Sequence, residues 1–359
     1  MYLSTRTIRC IAIVVLCAAA GDGNTETRLP ADYVDPFIGT SNYGATHPGA
    51  QYPHGMASVV PFNVAHRKGD GNVFEKDSEW HSRPYVHENR FLTGFSHVNL
   101  SGVGCPDLGS ILLMPTTGEL ELDSAVHGST YSGEASSPGY YRVHLDEHDV
   151  AVEVSSTPRT GISRYRFPEG RSHVLLNLGL GLTNESGAMV RVVSDTEVEG
   201  YRTIGTFCYQ PEDVRPVYFV ARLSKPARVA GTYKKQPAYR GVEAEWVAHN
   251  ATYKPYPGYR QEMAGDDVGA YFSFDTGADE TVEVKLGVSY VSIENARANL
   301  AAEQPGFDFE RTRRNARDRW NELLGRVELV GTDRNKTLFY TALYHVLVHP
   351  NVIQDVNGD

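Results

Sequence analysis

The chain has 359 residues, with 34 lysines and arginines against 44 aspartates and glutamates and a formal net charge of −10. That length accommodates two domains, or one large domain with extensions, and 41% hydrophobic with 22% charged residues is ordinary for a globular protein. An acidic chain without a basic run repels phosphate backbones, which argues against nucleic acid as a partner.

The first residues, MYLSTRTIRCIAIVVLCAAAGDG, place Arg6 and Arg9 before an apolar run from Cys10 to Leu16 and then Ala18, Ala19 and Ala20. This is the charged, apolar, small-residue order of a secretory signal peptide, so residues 1–20 are predicted to be removed after Ala20. The apolar run is too short to span a bilayer. A lipid anchor on Cys17 is the alternative, but bulky Leu16 stands where such signals favour a small residue, and simple cleavage is the preferred reading. In either case the chain is expected to be exported, periplasmic or secreted. Cys105 and Cys208 remain as one unassigned pair, and no Cys-x-x-Cys accompanies the His-x-x-x-His spacings as a structural-zinc cluster would require.

Next, FSHVNLSGVGCPDLG at 95–109 collects His97, Asn99, Ser101, Cys105 and Asp107 among three glycines. A strand buried for packing alone carries branched apolar residues instead. One reading is a glycine-rich loop whose polar side chains satisfy their own backbone; the other is a ligand-facing surface. The window is neither a Rossmann nor a P-loop fingerprint, since no Gly-Lys-Ser/Thr follows.

From Tyr140 to Tyr290 apolar residues fall mostly on alternate positions: Val143, Leu145, then Val150, Val152, Val154; Val174, Leu176, Leu178, Leu180; Val282, Val284, Leu286, Val288, Tyr290. Turn clusters separate these runs, which predicts a large antiparallel β-sandwich. After Ile293 the period changes. ENARANLAAEQ lacks proline and is rich in helix formers, and in DFERTRRNARDRWNELLG a stripe of Phe309, Ala316, Trp320, Leu323 and Leu324 faces one way. A strand-like VELVG follows, and then NKTLFYTALYHVLVHP, read as a helix with Leu338, Ala342, His345 and Val346 on one face. Tyr340, Leu343 and Leu347 fill much of the rest. A helix apolar on most sides expects burial in a larger assembly. With only HPNVIQDVNGD after it, the sequence reads as a fragment or truncated gene product, whose stripe of Leu338, Leu343 and Leu347 would lie exposed and whose residues beyond Gly331 would fray or drive aggregation. His345 and His349, four apart, are read as core histidines rather than a metal pair, because no zincin-type Glu accompanies them.

Five ordered segments carry a resemblance. VDPFIGTSNYGATHPGAQYPHGMASVVP, then Trp80, FSHVNLSGVGCPDLGSILLMP, SPGYYRVHLDEHDVAVEVSSTPRTGISRYRFP and FYTALYHVLVHPNVIQDVNGD together resemble the N-terminal half of family 92 glycoside hydrolases, the calcium-dependent exo-acting α-mannosidases. The similarity covers nearly all of residues 32–359. It implies a mainly β chain: a sandwich at 30–292, a helical linker at 293–330, and at 331–359 the first helix of a truncated (α/α)6 catalytic barrel. It further implies inverting hydrolysis of α-mannosides such as N-glycans, in which a glutamic acid protonates the leaving oxygen and an aspartate activates water, the two carboxyls roughly 6.5–9.5 Å apart. Calcium, an oxygen-seeking cation, is implied as cofactor. The acid, the base and most calcium ligands are implied to lie beyond Asp359, in the missing barrel domain, so no catalytic residue and no metal ligand is assigned here.

What remains is the sandwich side of the sugar pocket. The resemblance assigns substrate contact to Trp80, whose ring suits the C–H face of a sugar, to His97 and Asp107, and to Asp355, whose carboxylate is placed to take two hydroxyls. The bland alternatives are a core tryptophan and a turn aspartate. Asn99 stands where many family members carry a histidine. Two function classes are therefore weighed: part of an exported mannosidase, inactive by itself because half a site supplies little orientation, and a non-catalytic carbohydrate-binding or structural sandwich. A lyase or amidase on a similar sandwich has weak support.

Overall fold

The computed structural model describes residues 28–42, 44–65, 67, 82–182, 187–205, 214–239, 241, 250–258 and 261–359. The predicted signal peptide, Trp80 and Cys208 lie outside these residues. After a short 3-10 turn at Pro30–Tyr33 come β1 (Ala50–Gln51), β2 (Ser58–Phe62), β3 (Gly94–Val98) and β4 (Ser110–Thr117), then one helical turn, α1 (Ser124–His127). β5 (Tyr131–Ser137), β6 (Tyr140–Leu145), β7 (Val150–Ser156), β8 (Thr160–Phe167) and β9 (Gly170–Asn177) follow as a run of hairpins. β10 (Ala188–Val192), β11 (Glu197–Ile204), β12 (Arg215–Leu223), β13 (Val229–Lys235), β14 (Tyr253–Pro257), β15 (Glu262–Gly265), β16 (Val268–Thr276) and β17 (Glu280–Ser289) complete the strands.

Among the described residues these make two antiparallel sheets. One runs β1-β2-β3-β4-β9-β16-β13-β14 and the other β15-β10-β11-β12-β17-β8-β7-β6-β5. β2 packs across the gap against β7 and β8, and β10 against β13 and β16. The alternation read from the sequence lines this core: Val150, Val152, Val154, Val282, Val284, Leu286 and Val288 are all buried. β9 departs from it, because Leu175 is as buried as Val174 and Leu176. β9 lies between β4 and β16, and on its outer side the loop after β4 covers it, the Gly118 carbonyl accepting from His173 Nε2 at 3.0 Å.

Three helices follow the sandwich: α2 (Ile293–Glu303), α3 (Phe309–Leu324) and α4 (Asp333–Val348). Each has a side chain at its N-cap, Ser292, Asp308 and Thr332, accepting from a backbone N–H of the first turn. α2 lays Ala296 and Leu300 on Val220 of the sandwich, and Lys285 closes its end by donating to the Gln304 carbonyl at 2.7 Å. α3 buries the predicted stripe of Phe309, Ala316, Trp320, Leu323 and Leu324. Its Phe309 meets Tyr140 and Ile162, and Trp320 Nε1 donates to the Gln51 carbonyl at 2.8 Å.

In α4 the buried residues are Tyr340, Thr341, Tyr344 and Val348, and Leu338, Ala342 and Val346 lie on the exposed side. Tyr344 packs tilted against Trp320, ring centroids 4.5 Å apart, and Leu343 and Leu347 are half-buried on the same cluster, leaving Leu338 and Val346 exposed. A tyrosine buries its ring while its hydroxyl finds a partner, and Tyr340 does so at the Val327 carbonyl, 3.0 Å away. That contact also explains VELVG, which forms no strand: it is an extended segment held to α4 by the Tyr340 hydroxyl.

Candidate functional site

The window at 95–109 begins as β3 and leaves the sheet at Val98. Asn99 closes that exit. Its Nδ2 donates to Ser58 Oγ at 3.0 Å and to the Ser96 carbonyl at 3.2 Å, while Ser96 Oγ donates to its Oδ1 at 2.6 Å. With every polar atom engaged and the side chain buried, Asn99 shapes the loop from inside.

His97 points into the space between the sheets. It is buried, its Nδ1 donates to the Ile111 carbonyl at 2.9 Å, and burial holds its pKa down at about 4, so it is neutral above that range. β8 passes so close that a Cβ on Gly161 would stand 3.0 Å from the His97 ring. The bond also braces an unusual backbone: Leu108, Gly109 and Ile111 all have φ near +60°, and for β-branched Ile111 this conformation is strained. Leu108 further accepts from Leu182 N, and Gly109 N donates to the Val98 carbonyl.

Asp107 is half-buried at the foot of this loop, its Oδ1 accepting from Leu108 N at 2.7 Å and Gly205 N at 3.3 Å. The neighbouring Tyr290 hydroxyl is pushed up, first by burial and then by the Asp107 carboxylate. Next to Tyr290 in the chain, Ser289 Oγ donates to Asp355 Oδ2 at 2.7 Å. Asp355 takes two more bonds, from Asn295 Nδ2 to Oδ2 at 2.8 Å and from Asn299 Nδ2 to Oδ1 at 2.6 Å. The end of β17 thus brings Asp107 and Asp355 to adjacent residues, whereas His97 lies inside the sandwich.

The segment after α4 is sewn to the sandwich along the same seam. Ser101 N donates to His349 Nε2 at 2.9 Å, so the other ring nitrogen carries the proton toward Asn351. His54 Nδ1 donates to the Pro350 carbonyl at 3.0 Å, Val352 N to the His54 carbonyl at 2.8 Å, and Arg159 Nε to the Gln354 carbonyl at 2.7 Å. Arg159 is itself fixed by Glu303 of α2 at 2.8 Å. His345 donates from Nε2 to the Ile38 carbonyl at 3.1 Å. His345 and His349 therefore act as hydrogen-bonding packers. His47 is buried beside them; burial first, then the charges that His349 and His345 would carry, lowers its pKa to about 3.

The seam positions polar groups without offering an acid–base pair. The residues sequence reasoning passed over are Asn295, Asn299, Ser289 and Arg159, which hold Asp355 and its loop. Their signal was present: Asn295 and Asn299 sit one turn apart on the same side of α2 as buried Ala296 and Leu300. No described cluster of three or more histidine, cysteine or acidic side chains is arranged to hold a metal. Cys105 is disulfide-bonded; Cys10, Cys17 and Cys208 all lie outside the described residues.

Family comparison matches residues 33–289 to the glycosyl hydrolase family 92 N-terminal domain and residues 295–359 to the glycosyl hydrolase family 92 catalytic domain. The chain belongs to glycosyl hydrolase family 92. Among solved structures of the family it is similar to the α-mannosidase BT3965 of Bacteroides thetaiotaomicron, with 30% identity and a TM-score of 0.77, covering 92% of this chain and 42% of that one. It is also similar to the inverting mannosidase BT2199 of the same species, with 25% identity and a TM-score of 0.72, covering 92% and 41%. An uncharacterized secreted glycosidase of Arthroderma benhamiae is 26% identical over 354 residues, 91% of this chain and 42% of that protein. The chain thus spans less than half the length of these family 92 relatives.

Proposed function

We propose that this chain is the sandwich side of an exported α-mannosidase that hydrolyses α-mannosides, such as those of N-glycans, with inversion. The observation that carries this reading is the ordered match to both family domains across one physically continuous seam. The segment matched to the catalytic domain does not hang free: Asp355, Gln354, Val352 and His349 all bond to the sandwich or to α2, which packs on it. The sandwich loops at 97–109 and 52–56 therefore form a rigid wall against which a barrel orients its substrate. Orientation of this kind is worth several kcal/mol of barrier. We place the acid and the base in the part of the relatives that this chain does not span, so the chain alone is inactive.

Calcium belongs to the same reading, but the described residues do not fit it. Asp355, the best-placed carboxylate, already accepts from three side-chain donors. Calcium takes six to eight oxygen ligands, and no described group supplies them, so no step is routed through the ion here.

Stereochemistry tests the proposal. A form of this protein extended to the length of its relatives is expected to release β-mannose from an α-mannoside, followed by proton NMR of the anomers before mutarotation. Release of α-mannose, or of another sugar only, overturns it.

A further inference from the structure

A polar cavity lies at the joint between sandwich and α3, away from the seam. The β5–β6 turn meets α3 so closely that a Cβ on Gly139 would stand 2.6 Å from that of Ala316. Arg313, about one turn before Ala316, and Arg317, directly after it, flank this contact and face a cavity of about 300 Å³ that also touches Asp32, Ser137 and Tyr140. That volume is at the lower end of the range for small-ligand sites.

The two arginines are not equivalent. Arg317 is engaged, its Nη2 donating to Asp32 Oδ1 at 2.7 Å. The remaining Asp32 oxygen accepts from Leu29 N at 2.9 Å, so both oxygens of this acid are already engaged and its ion pair is with Arg317, not Arg313. The Arg313 guanidinium sits over the Tyr140 ring, its Cζ 3.8 Å from the centroid, with Glu310 at 4.0 Å as its ion pair among the described residues. The nearby acids are held by another residue: Arg164 takes Glu153 at 2.7 Å and Glu310 at 2.8 Å. The Tyr140 hydroxyl is likewise turned away, donating to Glu153 at 2.7 Å.

Stacking fixes the plane of a guanidinium and leaves its N–H edge for in-plane acceptors. Like charges four residues apart on a helix repel, and here they share one cavity with a single carboxylate. From this geometry we propose that the cavity binds a small oxyanion, a phosphate or sulfate-like group, in the fork of Arg313 with support from Arg317 and the Ser137 hydroxyl. The anion is either free in solution or carried on a sugar. Bidentate pairing to a preorganised guanidinium is the mode such groups use.

Calorimetric titration of the purified chain, at constant ionic strength set by sodium chloride, tests this with two probes, inorganic phosphate and mannose 6-phosphate, with mannose as neutral control. Saturable binding of either phosphate probe, weakened about tenfold or more by Arg313→Gln, is expected, since one charge-assisted bond is worth at least that factor. Arg313→Lys, which keeps the charge and loses the fork, is expected to lie between, and Arg334→Gln on exposed α4 to bind like the parent chain. Binding of inorganic phosphate by itself identifies a free anion; preference for mannose 6-phosphate identifies a carried one. No saturable binding of either probe, or full binding by Arg313→Gln with its melting temperature unchanged, overturns the proposal.

Discussion

Asp355 carries a negative charge into a buried place and receives three side-chain hydrogen bonds there. Bonds to a charged group are worth about 1.5–3 kcal/mol each when one partner is removed, and donors left behind lose their own solvation. Asp355→Ala is therefore expected to lower unfolding free energy by about 3 kcal/mol, read by urea denaturation, with the post-α4 loop losing amide protection. A loss below about 1 kcal/mol would show that this aspartate is held for ligand alone. The metal claim is tested beside it: calorimetric titration of this chain with calcium is expected to show no saturable binding, and a micromolar site would contradict the assignment of the ion to the rest of the enzyme. His97 teaches a related lesson. Its sequence neighbours, polar residues and glycines, look the same whether they face a sugar or brace a strained loop, and only the partner Ile111, fourteen residues on, tells the two apart.

Helix α3 was legible because its apolar residues, Phe309, Ala316, Trp320, Leu323 and Leu324, all fall on one helical face. In α4 the period fits several faces, and the buried one is marked by tyrosines whose hydroxyl partners lie elsewhere in the chain, so sequence spacing could not choose it. The joint at Gly139 follows from the same helix: with φ of 79° and Ala316 in contact, Gly139→Ala is expected to cost about 1–3 kcal/mol in a thermal melt. The histidines along α4 give the element a pH dependence. His47, His345 and His349 all have folded pKa values below the unfolded value of about 6.5, first because they are buried. The unfolded chain then binds more protons than the folded one, so stability falls as pH drops below about 6.5, and for His47 the loss continues to about 3. Hydrogen exchange is expected to show α4 and the loop at 44–55 opening more at pH 5 than at pH 7, with β7 and β8 little changed. Equal protection of α4 at both values would contradict this.

At the scale of the molecule, the alternating runs announced a sandwich, and the break after Ile293 announced helices, because burial on one sheet face and one helix face imposes different periods. The pairing of nine strands with eight was not legible, since it includes strands more than a hundred residues apart, as where Thr160 of β8 lies opposite Gly287 of β17. Nor was the docking of α4, which rests on Trp320, Tyr344 and the turn at Pro30–Tyr33 rather than on a partner outside the chain. The expectation of fraying beyond Gly331 therefore gives way to a docked helix with an exposed outer face, including Leu338 at 51% and Val346 at 68% exposure. Limited proteolysis is expected to leave α4 bound to the sandwich, and Trp320→Ala, at a cost of about 3–5 kcal/mol, to release it. If, as proposed, this chain builds one wall of a mannosidase site and holds neither the acid nor the base, the purified 359-residue chain with calcium added is expected to release no mannose from an aryl α-mannoside above the uncatalysed rate. Sustained turnover would place the catalytic carboxylates within this chain and overturn the proposal.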